Sequence, residues 1–406
     1  MVLVCNFNIF SQFCQMSLAK YLIVHYHELG LKGNNKDFFV KKLVKTLRDR
    51  LNSEFSLTHS VKHSIGRIYI PLEEGVDEEA YARVVGRIFG IRYFGFYFAG
   101  DLDVEKLGAQ IFENLPDLDA VATFRVKCKR SQLYPLNSSQ VERELGAILL
   151  RTGIDKKVKM EAADLVVQVE IFNEMAFFSF KRYEGAGGLP VASGGRLLSL
   201  ISTGIDSPVA SYLMMRRGAK VYFVHFHSYP YTDEVEVENV KKLVKILCDF
   251  GVSAKLYLIP LTKIQETIAK TLEIPAKYRV VLYRRMMIRL SEMVARKVKA
   301  KGLITGDSFG QVASQTTENM YAIREAASLP IYSPLIAFDK EDVVNVAEKI
   351  GTFEISRLPC KDTCAMFSPK HPVLDANPYD VRELEKFLDI DGLLVEAYEG
   401  VEILDF

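Results

Sequence analysis

Residues 202–207 read Ser-Thr-Gly-Ile-Asp-Ser, between the apolar run "RLLSLI" and a helix-forming stretch that ends in Arg-Arg-Gly. A tight loop of small residues feeding a helix N-terminus gathers backbone N–H groups that lack intrahelical partners, and the helix dipole adds partial positive charge. Such a loop is an anion site, and a phosphate suits it. Neither G-x-x-x-x-G-K-[ST] nor G-x-G-x-x-G occurs here, so the phosphate is held without the usual lysine. A second reactive set lies in "LPCKDTCAMFSPKHP", where Cys360 and Cys364 stand in a polar, Pro-rich stretch near Lys361, Lys370 and His371. Two cysteines and one histidine are too few ligands for a metal, whereas nearby cations favour thiolate, so the pair reads as reactive sulfur. The third set is basic. Arg125, Lys127, Lys129 and Arg130 fall within "FRVKCKRSQLYP", and Lys32, Lys36, Lys41 and Lys42 cluster after the first strand. Such residues hold RNA phosphates without reading sequence, although a charge run alone is more often a solvated face.

Elements must position these residues, and 406 residues are too many for one core. A strand at 21–24, a helix through "VKKLVKTLRDRL" and the strands of "SVKHSIGRIYIPL" make a first α+β section, residues 18–77. The helices "DVEKLGAQIFENL" and "SSQVERELGAILLRT", with the strands "ATFRVKCKR", "DLVVQVEIFN" and "MAFFSFKRY", make a second over 78–183. Residues 184–195, "EGAGGLPVASGG", carry five glycines and little to bury, which predicts a linker. From 196 to 406 near-continuous apolar strands alternate with helices, including a long one over 277–299. That rhythm predicts an α/β, doubly wound parallel sheet with ligands at the carboxyl ends of its strands. Residues 1–17, with Met16 just before the first strand, read as an N-terminal extension. A net charge of +1 excludes a uniformly basic coat, and no apolar run is long enough to span a bilayer. Six cysteines scattered through so long a chain fit a reducing, cytoplasmic protein.

The 202–207 loop resembles the S-G-G-x-D-S signature of the PP-loop ATP pyrophosphatases, with Thr203 where the first glycine belongs. In order, "LISTGIDSPVASYLMMRRG", "HFHSYP", "YRRMMIRLSEMVARK", "LITGDSFGQVASQTTENM" and "PLIAFDKEDVVNVAEKIGT" resemble the tRNA 4-thiouridine synthase family. "HELGLKGNNKDFF" and "FRVKCKRSQLYPLNSSQVERELGAIL" are similar to that family's N-terminal motif and THUMP domain. The resemblance implies a ferredoxin-like domain and a THUMP domain ahead of a PP-loop domain, with ATP and Mg²⁺ as cofactors. It puts nucleotide contacts at Leu200, Ile201, His225, Phe226, Arg284, Gly306 and Gln315, beside the loop residues Ser202, Thr203, Gly204, Asp206 and Ser207. In this reading the hydroxyls donate to pyrophosphate and Asp206 helps hold Mg²⁺. By residue type alone, Arg284 also fits a solvated helix charge and Gly306 a simple turn glycine.

The implied reaction adenylates the uridine at position eight of tRNA and then replaces the activated oxygen with sulfur from a persulfide on Cys364. Cys360 reads as the resolving thiol, leaving a Cys360–Cys364 disulfide for a reductant. The tRNA, gripped at its acceptor end, is expected on Lys32, Lys36, Arg125, Lys127, Lys129 and Arg130. With no rhodanese-like domain after the PP-loop domain, sulfur is expected from a separate donor such as a cysteine desulfurase, and a role in thiamine thiazole formation is not favoured. A homodimer is implied, and no membrane. Two rival readings are another PP-loop enzyme that modifies tRNA and a non-catalytic THUMP-type RNA-binding protein.

Overall fold

The computed structural model describes residues 18–26, 28–56, 59–64, 66–231, 234–251, 253–359 and 367–406. Cys360 and Cys364, with Lys361, lie outside them, as does the expected extension over 1–17. The described chain divides into two compact units. One holds the residues up to His25 with Leu51–Arg83 and Tyr93–Glu184, the other Tyr26–Arg50, Val84–Arg92 and Gly185–Phe406. Among the described residues no helix is long and apolar enough to cross a membrane.

The first unit is built on one sheet. Its strands are β1 (Lys20–His25), β2 (Lys62–Ser64), β3 (Arg67–Leu72), β4 (Tyr93–Gly100), β5 (Thr123–Arg130), β6 (Lys157–Val158), β7 (Leu165–Phe172), β8 (Met175–Ser179) and β9 (Tyr183–Glu184). They run in the order β2-β3-β1-β4-β8-β7-β5-β6, with β9 also paired to β4. The helices of this half of the chain are α1 (Lys36–Phe55), α2 (Glu78–Gly86), α3 (Val104–Glu113) and α4 (Ser138–Thr152). On β5, Phe124, Val126 and Cys128 are buried while Arg125, Lys127 and Lys129 take the other face, the period-two pattern of a half-buried strand. Leu107 and Ile111 of α3 and Val141, Leu145 and Leu149 of α4 cover the buried side. Asn137 and Gln140 close a reciprocal capping box at the start of α4, and Gly153 ends it at φ +112. β4 pairs with β1 from Tyr93 to Phe98, and its last residues, Phe98–Gly100, pair with β8. The two α+β sections read from the sequence therefore share a continuous sheet.

The second unit is the doubly wound domain. Its strands are β10 (Arg196–Leu200), β11 (Lys220–His227), β12 (Lys255–Pro260), β13 (Leu303–Ile304), β14 (Ile331–Tyr332) and β15 (Glu402–Asp405). Its helices are α5 (Asp206–Arg216), α6 (Glu234–Cys248), α7 (Thr262–Lys270), α8 (Arg279–Val298), α9 (Thr317–Arg324), α10 (Lys340–Ile350), α11 (Phe353–Ser356), α12 (Pro378–Glu385) and α13 (Ile390–Glu399). The strand order is β14-β13-β10-β11-β12-β15, every pair parallel except β12 with β15. Successive residues serve opposite cores. Leu197, Val221, Phe223, Leu256 and Ile304 pack with α5, α6 and α10, whereas Leu198, Val224, Phe226, Tyr257 and Leu303 pack with α7, α8 and α13.

The glycine-rich stretch after 184 is packed rather than loose. Leu189 and Val191 are buried, Leu189 N–H donates to Arg216 O (2.9 Å), and Gly194 N–H donates to Gly218 O (2.8 Å). Gly188, at φ +73, lies so close to the end of α5 that a Cβ would sit 2.1 Å from Arg216 O, so only glycine fits. The same end of α5 holds the segment after β1, because Arg217 makes a bidentate pair with Glu28 (2.7 and 2.9 Å). Lys32 and Lys36 thus belong to the doubly wound unit.

Candidate active site

Strand order in the second sheet reverses between β10 and β13, and open α/β sheets bind ligands at the carboxyl ends of strands at such a switch point. A cleft lies there. Leu200, Ile201, Ser202, Gly204, Asp206, Ser207, His225, Phe226, Arg284, Gly306 and Gln315 all line it. Of the expected nucleotide contacts only Thr203 is not among its walls, being buried behind them.

The loop is organised by its own hydroxyls. Ser207 Oγ accepts from Ser202 N–H (2.8 Å) and lies 3.1 Å from Ser202 Oγ, while Gly204 N–H points to Ser202 Oγ (3.3 Å). α5 begins immediately after, at Asp206. Ser211, one turn on, donates to Ser207 O (2.8 Å) and lies 2.7 Å from Ser199 Oγ, locking the helix to β10. Gly306 follows β13 and lies against this helix start. A Cβ there would sit 2.8 Å from Ser207 N, so the residue is a close-approach glycine and not a turn glycine.

Arg284 is no free surface charge either. Its guanidinium donates to Asp307 Oδ1 (2.5 Å) and Ser314 Oγ (3.0 Å). Asp307 Oδ2 accepts from Thr305 Oγ1 (2.8 Å), and Arg324 stands 3.7 Å from the same oxygen. Burial drives the Asp307 carboxyl upward, yet Arg284, Thr305 and Arg324 outweigh it and hold the group below its ordinary range as a carboxylate. His225 is enclosed, with Nδ1 2.9 Å from Ile201 O. Burial pushes its pKa down to about 4, so the ring is neutral near pH 7 and brings no charge to the cleft. Gln315 is buried, and its Oε1 has no hydrogen-bond partner among the described residues.

Asp307, Thr305, Arg324 and Lys340 were not singled out from the sequence. Asp307 could have been, since it directly follows Gly306 in "GLITGD"; the others give no local signal. Lys340, at the start of α10, reaches within 3.8 Å of Asp206 Oδ1, and Gln311 donates to Asp206 Oδ2 (3.3 Å). Asp206 Oδ1 is itself buried without a hydrogen-bond partner among the described residues, so it is an oxygen that can take a cation. No group of three or more metal-binding side chains occurs among them.

The chain before the two cysteines reaches the anion loop, and the chain after them packs on the segment that follows β11. Ser356, four residues before Cys360, directs its hydroxyl at Gly204 O (3.5 Å). Phe367, three residues after Cys364, packs its ring against Tyr231 with centroids 5.2 Å apart. The basic residues divide. Arg125, Lys127 and Lys129 share one face of β5, with the Lys129 ammonium on the Tyr93 hydroxyl and 4.9 Å from its ring centre. Arg130 takes the opposite register and donates to Ser131 O (2.9 Å) and Tyr134 O (3.2 Å).

A doubly wound sheet with a lysine-free anion loop at its switch point, carried with a mixed α+β unit, defines the PP-loop class of nucleotide-using enzymes. A family model described as thiamine biosynthesis protein (ThiI) matches residues 192–390, the ThiI ferredoxin-like domain matches 21–95, and the THUMP domain matches 104–181. A probable tRNA sulfurtransferase of Brevibacillus brevis is 39% identical over 384 residues, covering 94% of this chain and 95% of that one. One from Thermus thermophilus is 39% identical over 394 residues, 95% of this chain and 93% of its own. The crystal structure of a 4-thiouridine synthetase–RNA complex with bound ATP aligns at a TM-score of 0.84 and 34% identity, over 96% of this chain and 100% of that chain. That of PH1313 from Pyrococcus horikoshii, 22% identical over 82% of this chain and 99% of its own, shares the fold at a TM-score of 0.62. The chain belongs to the tRNA sulfurtransferase family.

Proposed function

We propose that this enzyme makes 4-thiouridine in tRNA at the cleft between β10 and β13. The observation that carries the reading is the anion loop at the switch point of the sheet, with a cleft beside it and the limb that leads to Cys360 touching the loop through Ser356. The adenine of ATP lies by His225 and Phe226, its phosphates on the loop from Ser202 to Ser207, and Arg284 beside them. Attack of uridine O4 on the α-phosphorus releases pyrophosphate, whose charge the backbone N–H groups at the start of α5 and the two serine hydroxyls stabilise. Asp206, through its unpartnered Oδ1, would hold Mg²⁺, which would offset the charge of the triphosphate. Lys340 beside Asp206 supplies a further cation to the same end of the cleft.

The terminal sulfur of a persulfide on Cys364 then attacks C4 and AMP leaves, so one hard substitution becomes two manageable ones. Cys360 thiolate attacks Cys364 Sγ, the electron pair leaves on the sulfur now bound to C4, and the resulting Cys360–Cys364 disulfide awaits an external dithiol. Sulfur comes from a separate persulfide donor such as a cysteine desulfurase. The tRNA acceptor end docks on Lys127 and Lys129, with Lys32 and Lys36 on the doubly wound unit; Arg125, whose guanidinium donates to Met160 O, and Arg130, tied to its own loop, contribute less. The working form is a cytoplasmic homodimer. The test is thiolation of unmodified tRNA with ATP and a persulfide donor. Cys364→Ala is expected to abolish 4-thiouridine while tRNA-dependent pyrophosphate release persists; 4-thiouridine made at the wild-type rate by that variant removes the carrier role.

A further inference from the structure

Asn319, on α9, is 1% exposed, and its amide is spent on backbone groups of two other segments. Nδ2 donates to Ala313 O (2.7 Å) and to Val373 O (2.7 Å), and Oδ1 accepts from Ala376 N–H (3.0 Å). Thr316, the N-cap of the same helix, accepts from Asn319 N–H (3.2 Å) and donates to Leu374 O (2.6 Å). The first segment, 313–315, is a cleft wall that brings Ser314 onto Arg284 and Gln315 into the nucleotide groove. The second, 373–376, is the limb that descends from Cys364. Buried amide bonds of this kind are costly to leave unmade, so they fix the distance between the segments they join.

From this juxtaposition we propose that Asn319 is a positioning residue for sulfur transfer, pinning the limb that descends from Cys364 to the wall of the nucleotide cleft. Asn319 is not among the cleft-lining residues, and the wall keeps bonds of its own, Gln315 N–H to Val312 O (2.8 Å), Gly310 N–H to Gln315 O (3.0 Å) and Arg284 to Ser314 Oγ (3.0 Å), so removing Asn319 is expected to shift the limb more than the nucleotide contacts. The inference rests on the sulfurtransferase reading above. Adenylation and sulfur delivery are separate steps, and only the second needs the limb held in register with the activated base.

The experiment compares full-length wild type and Asn319→Ala, using unmodified tRNA, ATP, and cysteine with a cysteine desulfurase as the sulfur source. It measures ATP affinity, pyrophosphate released and 4-thiouridine formed. ATP affinity is expected within about threefold of wild type, while 4-thiouridine formed per pyrophosphate falls by about tenfold to a hundredfold, the order of loss that a misplacement of an ångström brings to an oriented attack. An unchanged ratio overturns the proposal, and so does a parallel fall in ATP affinity and thiolation, which assigns Asn319 to the nucleotide wall alone. Should Asn319→Ala not fold, Thr316→Val, which removes the bond to Leu374 O, is read by the same two outcomes. Wild type that releases pyrophosphate with tRNA yet makes no 4-thiouridine overturns the sulfurtransferase reading itself, before any variant is compared.

Discussion

Gly306 has no space for a side chain, because the backbone of Ser207 occupies the position. Gly204, inside the loop itself, is different: a Cβ there meets only Ser202 Oγ, at 3.5 Å. Gly306→Ala should therefore push β13 away from the start of α5 and weaken ATP binding by roughly 1–3 kcal/mol, the usual cost of overpacking. Gly204→Ala should change it far less, and titration of both variants with ATP checks the contrast. At this scale much of the site was legible: a small-residue loop, a carboxylate and a strand-end glycine are local signals. Asp307, next to that strand-end glycine, was within reach of the same reading, but Arg324 and Lys340 were not, because their relevance comes from strands and helices brought together far along the chain. Arg284 looked like a solvated helix charge for the same reason, since nothing local reveals that Asp307 and Ser314 receive it.

The helices that carry the cleft are held by a buried charge cluster. Glu385 on α12 accepts bidentate bonds from Arg285 (2.8 and 2.9 Å) and from Arg289 on α8, and Arg285 also pairs with Glu325 (3.1 Å). Glu385→Ala leaves the enclosed Arg285 with half its partners, and an orphaned buried charge typically costs about 3–5 kcal/mol. A marked fall in the thermal unfolding midpoint of the variant is the expected outcome. Alternating apolar runs announced β10, β11 and β12, and the long helix was expected over 277–299 and runs from Arg279 to Val298. The apolar run in "GLITGD" pointed to β13, whereas the two-residue β14 is too short for any periodicity and the charged β15 lacks the apolar pattern. The glycine-rich stretch begins where the two units divide, but its glycines have two meanings, loose chain and close backbone approach. Here the second meaning holds, as Gly188 against Arg216 O demonstrates.

For the molecule as a whole, the proposed docking of tRNA on the outer face of β5 predicts how binding responds to salt. Each of Lys127→Ala and Lys129→Ala should lower the slope of log affinity against log salt by roughly 0.7–0.9, the share of one phosphate contact, with little change between tRNA sequences. Filter binding over a salt series measures this. A larger loss for Lys129→Ala is expected, as its ammonium also rests on the Tyr93 ring. Net charge near neutrality gives no sign of such a face, but the local run of cations in "FRVKCKRSQLYP" does, and the alternation on β5 puts Arg125, Lys127 and Lys129 on one side. The sheet to which β5 belongs has a further consequence. Its outermost strands, β2 and β6, are short and carry lysines, which discourages pairing with another chain. β4, in contrast, is apolar and has ladder partners on both sides. No cut between the ferredoxin-like and THUMP sections leaves two self-contained sheets: either fragment would bare an open, aromatic ladder edge, an invitation to aggregate. The first unit is best treated as indivisible by anyone trimming this enzyme for expression.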